Sequence, residues 1–174
     1  MRHLNLSRED RESLLAKLQE MPSWLERTCE ALSPAESARR SADGFFAPVE
    51  HCWHLADLER EAFTERLRRL REEDRPALAD FDGDRASLER AYRSRTCADG
   101  VAAFSEARRA NLALIRSIRP EEWQHAGTLE GVGVVALCDL PAMMVEHDAE
   151  HRRQIEAWLA ERGRPVTGEG PADR

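Results

Sequence analysis

Apolar residues recur every three to four positions through most of this chain, and the repeats resolve into four long helical segments. The first runs from about Ser7 to Leu32. Leu14, Leu15, Leu18, Trp24 and Leu25 form its stripe, Ser7 is placed to cap it, and Glu9 and Asp10 follow in the first turn. Pro22 is expected to kink or interrupt it near Met21. Ser33-Pro34-Ala35-Glu36 predicts a short helical turn, and Asp43-Gly44 a loop. The second helix starts near Ala47-Pro48, where proline suits a first helical position, and carries Leu55, Leu58, Phe63 and Leu67 inward as far as about Arg71. From Glu72 to Ala98 the pattern breaks at Pro76 and Asp82-Gly83-Asp84, which predicts a long crossover connection with a short helix inside. The third helix spans roughly Asp99 to Ile118 and is closed by Pro120; the fourth runs from Leu137 or Asp139 to Arg162, ended by Gly163.

No segment reads as a strand. The glycine-rich stretch Gly127–Val134 has neither a dinucleotide-binding nor a phosphate-loop pattern and is expected to be a loop. The fold predicted is therefore all-α: a four-helix bundle with one long crossover connection, a single domain over residues 1–165 followed by a flexible polar tail over 166–174. Bundles of this kind commonly carry metals on side chains that face inward.

Composition narrows the partners. A formal net charge of −7 disfavours nucleic acid and anionic membrane surfaces, and no stretch is apolar enough to span a bilayer. The four cysteines, Cys29, Cys52, Cys97 and Cys138, form no C-x-x-C pair, which excludes a zinc ribbon. With no export signal in the first residues, the chain is expected in the reducing cytoplasm with buried free thiols. Lys17 is the sole lysine, so the positive charge is almost entirely arginine on solvated helix faces.

Candidate chemistry concentrates in the histidines. His147 and His151 stand one turn apart on the fourth helix and fall on the same stripe as Leu137, Leu140, Met144 and Trp158. Two stacked imidazoles turned into a core leave ring nitrogens without water, at about 1–3 kcal/mol each, unless something binds them. A shared divalent metal does so. A third imidazole is available on the second helix, where a wheel at 100° per residue places His51 more centrally in the apolar arc than His54, which lies at its edge in line with Leu58. His3 and His125 are expected to face solvent. The letters H-x-x-E-H at His147–His151 also match a metalloprotease pattern in which Glu150 would be the base, but only a terminating helix and a tail follow, with no room for the distant third ligand.

The segment Phe46–Asp57, with His54 directly before Leu55-Ala56-Asp57, and the run His147–Ile155, H-x-x-x-H followed by Gln154-Ile155, resemble the second- and fourth-helix signatures of the DinB-like superfamily. Phe81-Asp82-Gly83-Asp84-Arg85 and the Gly131…Leu140 approach share the likeness, which covers roughly Leu32 to Leu159. The resemblance implies a four-helix bundle holding zinc or nickel with three histidines, here His54, His147 and His151. His51 then occupies a position that is commonly apolar, with a supporting or surface role. It further implies a metal-dependent enzyme, a thiol S-transferase or related hydrolase, acting on a small-molecule substrate with a low-molecular-weight thiol. A homodimer is the candidate assembly, and a non-catalytic metal-stabilised stress or binding module is the alternative. Asp57, Tyr92 and Glu150 are candidates for supporting or acid–base groups.

Overall fold

A computed structural model describes residues 6–164; the tail expected over 166–174 and His3 lie outside them. Helix α1 (Arg8–Glu30) opens on the expected Ser7 cap, reinforced by Asp10, whose carboxylate accepts from the Ser7 backbone. It runs through Pro22 without a break, against expectation. Helix α2 (Pro34–Ser37) is the short turn predicted after Ser33. The second long segment is three pieces: α3 (Pro48–Leu58), one π-helical turn (Glu59–Phe63), and α4 (Thr64–Glu72). Strand β1 (Ala77–Leu78) and helix α5 (Gly83–Glu89) lie in the crossover, and α6 (Cys97–Arg116) follows.

Strands β2 (Ala126–Leu129) and β3 (Gly133–Ala136) correct the expectation of a loop. They form an antiparallel hairpin, with β1 added in parallel on the outer side of β2. The hairpin turns at Gly131 and Gly133, both with positive φ (73° and 100°), a backbone that glycine adopts without penalty. These strands are four residues long and glycine-rich. Pairing rather than propensity makes them, so no alternation marks them in sequence.

Helix α7 (Leu140–Ala160) enters through Pro141 and stops where predicted. Gly163 turns left-handed, and the Gly163 and Arg164 amides bond back to the Ala160 and Leu159 carbonyls. In the bundle α6 packs against α3 and α1, and α1 against α7. Two apolar clusters result. One lies around Leu18, Leu67, Leu112 and Met144, the other around Trp24, Leu55, Phe104 and Trp158. No helix among the described residues is long and apolar enough to cross a membrane.

The π turn is a tertiary product. The Glu59 carbonyl accepts from the Thr64 hydroxyl at 2.8 Å and from the Asn111 amide at 3.1 Å, which draws α6 against the loosened turn. Arg108, one turn before Asn111, is buried between Glu59 and Asp148. It donates to Glu59 at 2.8–3.0 Å and to both Asp148 oxygens at 2.6 and 2.9 Å. The first long helix, the π turn and α7 are thereby pinned to α6, one residue from His147.

Candidate metal centre

Helices α3 and α7 meet through their histidines. His54 and His151 are each 8% exposed and His147 is partly buried. The Nε2 atoms of His147 and His151 lie 3.0 Å apart, and those of His54 and His147 3.3 Å. One ligand atom from each of the three falls within 4.8 Å of the other two. Four nitrogens around a tetrahedral ion at about 2.0–2.1 Å stand roughly 3.3–3.4 Å apart, so the spacing is that of a ligand set. A neutral imidazole nitrogen carries one lone pair or one proton, and His147 Nε2 cannot satisfy two such neighbours. A cation at their common centre would meet all three lone pairs at once.

Protonation offers no other way out. Burial, reinforced by the neighbouring imidazoles, lowers His147 to about 3 and His151 well below the ordinary histidine range; burial lowers His54 to about 4. All three are neutral near pH 7, the form that binds metal.

His51 is not at the surface. It is 1% exposed, and its Nδ1 lies 2.8 Å from His151 Nδ1. If His151 turns Nε2 inward, its Nδ1–H donates to His51, which fixes the His151 tautomer and ring angle as outer partners of ligating histidines do. His51 Nε2 and His54 Nδ1 are then buried with no hydrogen-bond partner. Phe46 packs its edge against both rings, and Gly83 closes over His54 so tightly that a Cβ there would lie 2.5 Å from the ring.

The remaining candidates stand apart. Glu150 is exposed, paired with Arg153 at 2.5 Å, and accepts from Gln154, so the protease reading loses its base. Asp57 is buried under Tyr92, Arg90 and Arg60. Burial works to raise its carboxyl, but the three donors together outweigh it and hold it below its usual range. Tyr92, spent on that bond at 2.5 Å, is locked rather than free to move protons, and burial raises its phenol. His125 is exposed as expected.

Sequence reasoning passed over the groups around the histidines. A cleft of about 460 Å³ opens onto His54 and His151, rimmed by Asp43, Phe45, Phe46, Asp84 and Gln154. The volume suits a small molecule. The nearby Asp84 carboxylate works against the lowering of His54. The signals available were Gly83-Asp84 in the crossover and Gln154, which lies within reach of the cleft one turn after His151.

The sequence profile of the DinB superfamily matches residues 17–155. Among solved structures the chain is similar to YfiT from Bacillus subtilis, described as a probable metal-dependent hydrolase with an unusual four-helix bundle topology. The TM-score is 0.85 over 92% of each chain, at 18% sequence identity. No curated protein matches the chain.

Proposed function

The chain belongs to the DinB superfamily, and we propose that it is a divalent-metal-dependent enzyme whose ion, zinc or nickel, is held by His54, His147 and His151. The observation that carries this reading is the vacant side of the histidine trio. Among the described residues no carboxylate or thiol is grouped with the three imidazoles, and the trio opens onto the 460 Å³ cleft. A structural site is closed by a fourth protein ligand, whereas a catalytic one keeps a position for substrate. An ion held by three neutral ligands keeps its full charge and can acidify a thiol or a water molecule brought to it.

The chain's own residues do the rest. His51 sets the angle of His151, and the Arg108 network fixes the turn of α7 that presents His147. Phe46 and Phe45 give the cleft an apolar wall for the carbon skeleton of a small electrophile. The reaction proposed is transfer of a low-molecular-weight thiol to that electrophile, with hydrolysis as the variant in which water replaces the thiol. The test is turnover of the metal-loaded protein with several such thiols against halogenated and epoxide electrophiles and hydrolysable esters and amides. Thiol-dependent turnover lost in His147→Ala supports the transferase, and thiol-independent turnover the hydrolase. A fully loaded protein inert to the whole panel favours the alternative, a metal-stabilised binding module.

A further inference from the structure

Three cysteines that are scattered in sequence meet in the fold. Cys29 comes from the last turn of α1, Cys52 from α3, and Cys97 from the first turn of α6. The sulfurs of Cys29 and Cys52 are 3.5 Å apart, and all three lie within 4.8 Å of one another. Three thiolates around one ion at about 2.3 Å stand roughly 3.8–4.0 Å apart, so small side-chain rotations complete the set. We propose that Cys29, Cys52 and Cys97 form a second metal site, a three-thiolate cradle for a soft monovalent cation, Cu(I). It is independent of the histidine site.

Several features fit this and fit a disulfide poorly. An S–S bond between Cys29 and Cys52 would leave the third sulfur unexplained, and the trio comes from three different helices. Their approach depends on Gly100, where a Cβ would lie 2.8 Å from that of Cys52; a glycine inside a helix costs about 0.5–1 kcal/mol, so this close approach is made at some expense. Cys97 stands at the first position of α6, after the Thr96 cap, where the positive end of the helix favours a thiolate. Bonds from the Cys29 thiol and then the Cys52 thiol also hold Cys97 low, to about 4.

The chemistry of the set selects its ion. Among the described residues no histidine, carboxylate or fourth thiol is grouped with the three sulfurs. Soft sulfur ligands with no fourth protein donor suit Cu(I) better than a hard cation. A route in exists: a cleft of about 420 Å³ is lined by Cys29 and Cys97, with the carboxylates of Glu26 and Glu30 at its mouth to attract a cation. On loading, the thiol protons pass to solvent and no electron is transferred.

The test is anaerobic titration of the reduced full chain with Cu(I) against a competing chromogenic chelator, followed by copper X-ray absorption. The expected result is one Cu(I) with three sulfur neighbours at about 2.3 Å. Cys97→Ser should weaken binding by about 100-fold or more, beyond the loss seen when only a ligand's outer partner is removed. His147→Ala should leave Cu(I) affinity unchanged, which separates this site from the histidine reading. A copper environment without sulfur, or equal affinity in Cys97→Ser, overturns the proposal. If Cys97→Ser fails to fold, the sulfur count of the unaltered protein still decides.

Discussion

Two polar clusters are buried side by side in this bundle, and α7 feeds both from successive residues, Asp148 and His147. Around Arg108 donors and acceptors match. The guanidinium serves Glu59, Asp148 and the Leu18 carbonyl, and Asn111 completes Glu59. Around His147 they do not: ring nitrogens face one another at 3.0 and 3.3 Å, and two more have no partner. A complete network explains itself as structure, since buried polar groups are normally satisfied. An incomplete one, built from neutral imidazoles and open to a cleft, calls for something from outside. The difference between the clusters, more than the number of histidines, identifies the metal site.

The comparison breaks first at the ligands. His147→Ala or His151→Ala should abolish stoichiometric zinc or nickel on elemental analysis, while the circular dichroism spectrum stays mostly helical. Full metal retention would show that the trio is only a crowded core. Arg108→Leu should instead damage the fold: it strands two buried carboxylates, and breaking such a pair costs about 3–5 kcal/mol, read as a lower urea midpoint. A change below 1 kcal/mol would mean that the network contributes far less than its geometry suggests.

Acid sharpens the contrast by sign. The buried histidines His51, His54 and His147 have their pKa lowered to about 3, 4 and 3, and His151 is lowered too. The unfolded chain therefore takes up protons that the fold refuses. Stability of the metal-free protein should be complete above about pH 6.5 and fall as pH drops from there towards 4, by about 1.4 kcal/mol per pH unit for each such histidine. Burial raises Glu59 and Asp148, which tilt stability the other way within the carboxylate range. Urea midpoints measured from pH 8 to 5 that stay flat would contradict neutral buried imidazoles.

Smaller changes grade the support around the ligands. Gly83→Ala pushes a methyl into His54 and should weaken zinc by tens of fold, whereas His51→Ala removes only the partner of His151 and should cost about tenfold with full stoichiometry kept. Loss of stoichiometric zinc in His51→Ala, as in His54→Ala, would make His51 a ligand.

Legibility followed locality. His147 and His151 could be read because a helix brings i and i+4 together within one short motif. The choice of His54 over His51 could not be made from the apolar arc: of the eleven residues of α3 all but Trp53 are buried, so the helix has no polar face from which to measure an edge. Resemblance supplied that choice, and the geometry places His54, rather than His51, beside His147. The π turn was invisible because Glu59–Phe63 contains no helix breaker; Thr64 and Asn111 make it from a distance. The thiol trio escaped for the same reason, its members being 23 and 45 residues apart with no spacing rule to join them. Asp57 and Tyr92 read as free acid–base groups only until their partners were in place.

The most direct measurement is X-ray absorption at the edge of the zinc or nickel that copurifies with the chain. Three imidazole nitrogens at about 2.0–2.1 Å with one or two light solvent donors is the predicted environment. A sulfur or carboxylate closing the set, or no stoichiometric metal at all, would contradict an open histidine centre.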